Sequence, residues 1–172
     1  PENDIPYMNQ KGLVDRSGNP KDAFYVFKSY WAKEPFAYIE SHSWTDRQGP
    51  KGKKREISVF SNCEEVTLYH NEKSLGTRVK DINKFPASGL TWNVEFLEGD
   101  NRLMAVAKHE NGNVVEDAVE VNYRYIKNDV AVGLNLTAEK LDDGNYMVTA
   151  IAVDENGLRC LDYEEKVYFQ TL

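Results

Sequence analysis

Apolar residues follow two different periods along this chain. From Asn19 to Ala32 they recur at a helical interval. Ala23, Phe24, Phe27, Tyr30 and Trp31 stand at i, i+1, i+4, i+7 and i+8, which is one stripe of a helix. Asn19 suits the N-cap, Pro20 the first helical position, and Asp22 puts a carboxylate in the first turn. Lys21 and Lys28 fall on the other side, and Pro35 ends the helix just after Lys33. A helix of about 12 residues is marginal in water without tertiary packing. Phe24, Phe27 and Trp31 offer roughly 150–250 Å² each, a driving force on the order of 10 kcal/mol. They are expected to be covered, by the neighbouring β-domain, by a domain outside this sequence, or by a second copy of the chain.

From Phe36 the period drops to two. Strands are predicted at Ala37–Glu40, Glu56–Phe60, Glu65–Tyr69, Leu90–Phe96, Leu103–Ala107 and Val119–Tyr125, with a further return strand starting at Leu75. Leu90, Trp92, Val94 and Phe96 give the cleanest alternation and share one face. Turns are expected at Ser61–Glu64, Asn71–Lys73 and Glu98–Asn101, and Asn111-Gly112 is a strong hairpin signal. Thr45–Arg55 reads as a polar loop. About seven short antiparallel strands in about 90 residues imply an immunoglobulin-like β-sandwich over 36–125.

Strands restart after Asp129. Leu134–Thr137, Tyr146–Val153 and Lys166–Phe169 are predicted strands, with turns at Asp142–Asn145 and Asp154–Gly157. Even four strands in 126–172 would be too few for a closed sandwich. The fold class is therefore mainly β: one α-helix in 1–35, an immunoglobulin-like sandwich, and a partial second immunoglobulin-like domain. The open edges of that partial domain favour a homodimer.

The bulk numbers agree and remove several functions. The chain has 172 residues, long for one sandwich and short for two complete domains plus a helix. A net charge of −7 argues against nucleic acid, which needs a basic face. No apolar run approaches the roughly 18 residues that span a membrane, so no membrane partner is expected. Cys63 and Cys160 lie in different predicted domains and read as buried, reduced thiols. No CxxC or HxxxH spacing is present, so no metal and no cofactor is expected. The chain opens at Pro1 without an initiator Met and reads as starting in mid-sequence.

Candidate chemistry is sparse. Glu64-Glu65, Asp142-Asp143 and Glu164-Glu165 fall at turns or strand ends, where successive side chains point apart. His42, His70 and His109 have no Ser, Cys or carboxylate at a telling spacing. His42-Ser43-Trp44 stands out among them, because an aromatic and a polar ring before a long loop suit either contact with a sugar or packing. The cluster Lys51, Lys53, Lys54 and Arg55 reads as a solvated loop. Asn135-Leu136-Thr137 matches a glycosylation sequon and reads as incidental.

Taken together, Asn9–Trp31 (NQKGLVDRSGNPKDAFYVFKSYW) resembles the closing loop and last helix of the TIM barrel in glycoside hydrolase family 2, which includes β-galactosidases. Val59–Gly76 and Phe85–Ala107 are similar to the sandwich that follows the barrel in bacterial members. LNLTAEKLDDGNYMVTAIAVDENG is similar to the opening half of a further immunoglobulin-like domain. The resemblance implies a retaining β-glycosidase parent that uses two glutamates roughly 5 Å apart at the ends of earlier barrel strands. Those strands would precede Pro1, so no catalytic residue is assigned here and the chain itself is expected to be inactive.

The resemblance also implies that Asn9–Asp15 follows the last barrel strand and lines the mouth of the site, adding Asn9, Lys11 and Asp15 to His42 and Trp44 as candidates for substrate contact. The expected partners are the barrel of the parent chain, a β-linked glycan and a second copy of the chain. The parent is expected to be bacterial and periplasmic or secreted. The rival function is a carbohydrate-binding module, with Tyr69, Tyr123, Tyr125 and Tyr168 as outward aromatics.

Overall fold

The computed structural model describes residues 12–15, 17–110 and 112–170. It is mainly β with one helix among the described residues. Two compact units emerge. The first takes the described residues of Pro1–Asp46 and Lys51–Tyr123, the second Arg47–Pro50 and Arg124–Leu172.

The first unit holds α1 (Asp22–Trp31), β1 (Ala37–Ile39), β3 (Arg55–Ser61), β4 (Glu65–His70), β5 (Lys73–Val79), β6 (Thr91–Val94), β7 (Gly99–Lys108) and most of β8 (Val114–Arg124). A short β2 (Asp46–Gln48) joins the sheet edge. The strands form two sheets, β1-β3-β6 and β2-β8-β7-β4-β5, antiparallel in the pairings β1 with β3, β3 with β6, β4 with β5 and β7, and β7 with β8. This is the immunoglobulin-like sandwich that the alternation predicts. Leu90, Trp92, Val94 and Phe96 are all buried, as are Ile57 and Val59 facing Val66, Leu68, Val119 and Val121. Each such side chain contributes roughly 1.5–3 kcal/mol relative to leaving it in water. Phe96 stacks on Tyr123 with ring centres 5.1 Å apart.

Four local expectations are corrected. The helix begins at Asp22, with Lys21 at its N-cap and no side-chain cap. Asn19 does not cap it, because its amide is already bound to the Asp15 carboxylate at 2.9 Å. β2 lies inside the stretch read as the Thr45–Arg55 loop, where a three-residue polar strand leaves no apolar alternation to detect. β7 starts at Gly99, because Asn101, read as part of a turn, is itself buried within the strand. The Asn111-Gly112 hairpin does form between β7 and β8, closed by a bond from the Gly112 amide to the His109 carbonyl at 2.8 Å; Asn111 itself lies outside the described residues.

The helix also presents the unexpected face to the sandwich. Its only buried residue is Ser29, while Phe27 is 42% and Trp31 59% exposed. The two rings stack on each other at 5.8 Å. Polar anchors and Tyr25 do the docking instead, and the reading of Phe27 and Trp31 as covered does not hold within this chain. Periodicity identifies an apolar stripe, but it does not say which neighbour covers it.

The second unit contains the hairpin β9 (Gly133–Lys140) and β10 (Tyr146–Val153), paired in register from Gly133↔Val153 to Lys140↔Tyr146. Lys166–Phe169 is not a strand, so two strands rather than four stand among the described residues of 126–172. Asp154 organises the turn after β10. Its carboxylate accepts the backbone amides of Asp129 at 3.0 Å, Asn156 at 2.9 Å and Leu158 at 2.8 Å. Those bonds, led by the Asp129 amide, hold its carboxyl below the usual range. Cys63 and Cys160 are buried free thiols in separate units, and burial pushes the Cys160 thiol up.

Candidate functional site

The sequence candidates converge on one cleft of the first unit, of about 680 Å³. One wall is the loop before α1 and the helix start, with Asp15, Asn19, Lys21, Asp22 and Tyr25. The other is Tyr38 in the middle of β1 and the turn Ser41–Trp44. His42, Trp44 and Asp15 are thus brought together. Asn9 and Lys11 lie outside the described residues.

The first wall is built by Asp15. Its carboxylate accepts the amides of Ser17 and Asn19, both at 2.8 Å, and the Asn19 side chain. These bonds, the Asn19 side chain first, keep the Asp15 carboxyl below its ordinary value. The loop closes with the Lys21 amide on the Leu13 carbonyl at 2.9 Å.

Asp22 joins the two walls. One oxygen accepts the Tyr38 hydroxyl at 2.8 Å and the other the Ser41 amide at 2.7 Å. Ser41 sits at φ 63°, a left-handed conformation that costs a non-glycine residue about 1–2 kcal/mol. The Asp22 bond and the Trp44 amide on the Ser41 carbonyl at 3.0 Å offset that cost and fix the turn. Burial, then the Asp22 carboxylate, raise the Tyr38 phenol above its usual range, so it stays protonated.

Three rings stack behind the cleft. Tyr25 lies parallel to Tyr38 at 3.5 Å, and Tyr38 stacks on His42 at 4.5 Å. The His42 Nε2 meets Asp117 Oδ2 on β8 at 2.7 Å, and the same oxygen accepts the Ile39 amide at 2.6 Å. His42 therefore has the carboxylate partner that spacing along the sequence could not show. Asp117 is the residue that sequence reasoning missed. It lies just before the predicted Val119–Tyr125 strand, inside the observed β8, and no local signal pairs it with His42. Trp44 remains 55% exposed beside this ordered base.

A second cleft of about 980 Å³ lies within the second unit, between Lys127–Ala131 and Cys160–Tyr168. Asn128 spans it, donating to Asp162 at 2.8 Å. Of the tyrosines considered for a glycan-binding face, Tyr123 is buried, Tyr69 and Tyr125 are half-buried and Tyr168 is exposed. Among the described residues no group of His, Cys, Asp and Glu could hold a metal ion.

The helix before the sandwich leaves Phe27 and Trp31 exposed, while Tyr30 reaches Pro86 and Ser88. Comparison with known proteins names the class. Residues 52–116 match the family "Domain of unknown function (DUF4982)". The chain is 66% identical over its full length to a Formosa agariphila protein named "Putative beta-glucuronidase", covering 21% of that protein. It is 29% identical to the beta-galactosidase BoGH2A of Bacteroides ovatus over 92% of the chain and 18% of that protein. The apo structure of Bacteroides uniformis beta-glucuronidase 3 superposes with a TM-score of 0.84 at 41% identity, over 94% of this chain and 20% of that one. The chain therefore corresponds to a segment of a glycoside hydrolase family 2-type protein. It spans about a fifth of the length of the curated relatives it matches.

Proposed function

We propose that this chain is a non-catalytic accessory part of a retaining β-glycosidase, bracing a catalytic barrel supplied by the rest of the parent. In this reading residues 1–35 are the closing loop and last helix of the barrel, 36–125 the supporting sandwich and 126–172 part of a second immunoglobulin-like domain. The observation that carries it is the stacked, exposed pair Phe27 and Trp31 on a helix whose other face is tied to the sandwich. A short helix with two unlike neighbours needs such a second apolar surface.

The carboxylates around the cleft support a structural role for it. Asp22 is committed to Tyr38 and Ser41, and Asp117 to Ile39 and His42. A retaining pair instead needs two carboxyl groups facing the sugar, about 5–5.5 Å apart.

The parent's substrate is proposed to be a β-glucuronide in preference to a β-galactoside, following the names of the relatives. Asn9 and Lys11, which lie outside the described residues, are the candidates for that glycone by chemistry, since an amide and an ammonium can each bind a carboxylate. The test is turnover of p-nitrophenyl β-glucuronide and β-galactoside by the full-length protein and by the 172-residue chain alone. The full-length protein is expected to prefer the glucuronide, and Lys11→Ala to reduce glucuronide turnover more than galactoside turnover. Turnover by the isolated chain would overturn the accessory role.

A further inference from the structure

The apolar stripe of α1 does not end at the helix. Phe27 and Trp31 stack on each other. Tyr30, three positions from one and next to the other, lies 6.0 Å from the Phe85 ring, centre to centre. Phe85 belongs to the loop 80–90 between β5 and β6 and is 68% exposed, and Ile82 on the same loop is 64% exposed. Both residues stand on an ordered base. The Asp81 amide donates to the Ser88 carbonyl at 2.7 Å, and the Lys84 amide to the Asp81 carbonyl at 2.9 Å. The Tyr30 hydroxyl donates to the Pro86 carbonyl at 3.3 Å and accepts from Ser88 Oγ at 3.1 Å. Lys80 reaches over the Tyr30 ring to donate to the Ser29 carbonyl at 2.8 Å. Helix and loop are thus tied into one piece. A surface that is already ordered loses little conformational freedom when it is covered.

We propose that Phe85 and Ile82 form, with Phe27 and Trp31, a single apolar docking surface for another domain of the same polypeptide. The inference rests on the reading of the chain as an accessory part of a larger protein. It goes past that reading by giving the sandwich a foothold of its own, through a loop that lies 50 or more positions beyond the helix. Size selects the occupant. At roughly 150–250 Å² per aromatic ring, the exposed fractions of the four side chains leave on the order of 400 Å² open. A second copy of the chain would need about 800 Å² on each side. Interfaces between domains of one chain go down to about 600 Å² in total, about 300 Å² from each side, because the covalent link sets a high effective concentration. The chain spans about a fifth of the length of the curated relatives it matches, and the remaining length is where that domain lies in the parent. Charge selects the chemistry. Lys84 is paired with Asp81 at 3.5 Å, and Lys80 is drawn onto the helix. The surface therefore offers rings and an aliphatic side chain, which suit an apolar face better than an acidic glycan.

The test is hydroxyl-radical footprinting of the full-length protein, read against the same protein unfolded in urea. Phe85 and Ile82 are expected to react at least about fivefold more slowly in the folded protein, as are Phe27 and Trp31, since a covered surface excludes water. A smaller ratio at Phe85 and Ile82, with Phe27 and Trp31 still protected, would overturn the joint surface and leave the accessory reading standing. Loss of protection at all four would overturn both. Protection that fades on dilution, together with a monomer–dimer equilibrium in sedimentation, would assign the surface to a second copy and overturn the proposal. Phe85→Asp is expected to raise the labelling of Trp31 about threefold, and Phe85→Leu to change it less than about twofold, because one interface opens as a unit. Unchanged Trp31 labelling in a folded Phe85→Asp protein would mean two separate contacts and overturn the single surface. If Phe85→Asp does not fold, Ile82→Asp, which spares the Phe85–Tyr30 contact, is read in its place by the same criterion.

Discussion

His42 and Asp117 stand 2.7 Å apart across 75 positions of sequence, and the carboxylate oxygen they share also holds the buried Ile39 amide. One carboxylate thus fixes the end of β1 and the ring that backs the cleft. Asp117→Ala would leave the Ile39 amide without its partner, a loss of about 1–3 kcal/mol. Urea denaturation should show a lower midpoint with an unchanged slope. A double-mutant cycle with His42→Ala should give a coupling of about 0.5 kcal/mol or more, and strict additivity would mean that the pair is incidental.

Tyr38 should resist ionisation. Its folded phenol is raised, by burial first and then by Asp22, so the neutral ring is favoured in the folded protein. The sign follows from linkage: this contribution is intact below the unfolded tyrosine value of about 10 and is lost as pH climbs toward the folded value. Ultraviolet titration should find one tyrosine that ionises late, together with alkaline unfolding. Asp22→Ala should bring that tyrosine back toward the others.

Asp154 should protect three amides in the second unit. In Asp154→Ala, hydrogen exchange at Asp129, Asn156 and Leu158 is expected to accelerate, while β7 and β8 keep their protection. The carboxyl is depressed in the folded state. Its contribution is therefore present above the unfolded value of about 3.9 and fades as pH falls through the folded one. The same three amides should lose protection on acidification, and unchanged exchange at low pH would contradict the assignment.

Asn101 is buried inside β7, where its side chain takes the Leu97 amide at 2.8 Å, donates to the Leu97 and Gly99 carbonyls at 2.8 Å and meets His70 Nε2 at 2.7 Å. Asn101→Ala strands several part-buried backbone groups at once and should cost on the order of 3 kcal/mol. Thermal unfolding would measure it, and a change below about 1 kcal/mol would mean that the backbone finds other partners.

The β4–β5 turn offers the opposite sign. Asn71 and Glu72 both adopt positive φ, 46° and 68°. Asparagine tolerates this conformation and glutamate does not. Glu72→Gly should raise stability by about 0.5 kcal/mol, since the relief of strain exceeds the entropy that glycine adds to the unfolded chain.

Much of the sandwich was legible because alternation and burial coincide there. Leu90 to Phe96, Val66 with Leu68, and Val119 to Tyr123 read as inward rows and are buried. The pattern failed where structure is held by polar groups. β2 has no apolar residue, and Asn101 looks like a turn residue while serving as a buried scaffold. At the helix, hydrophobicity marked Phe27 and Trp31, but the face toward the sandwich is set by Asp22, Tyr25 and Ser29. The cleft was legible only in part. His42 and Trp44 were visible as an odd neighbouring pair, whereas Asp22 and Asp117 reach them from other elements through contacts that no spacing encodes. Lys166–Phe169 had the alternation of a strand without one forming.

The Asp22 bonds to Tyr38 and Ser41 also bear on how this protein can be recombined. They cross Pro35, the point where helix gives way to sandwich and where a designer would first cut. A chimera joined there would set one parent's carboxylate against another parent's turn and lose the register of both cleft walls. Joining within the polar stretch 49–54 instead transfers the loop, the helix and the Trp44 turn as one inherited block. Swaps made at the two sites should differ in yield of folded protein even when they exchange nearly the same sequence.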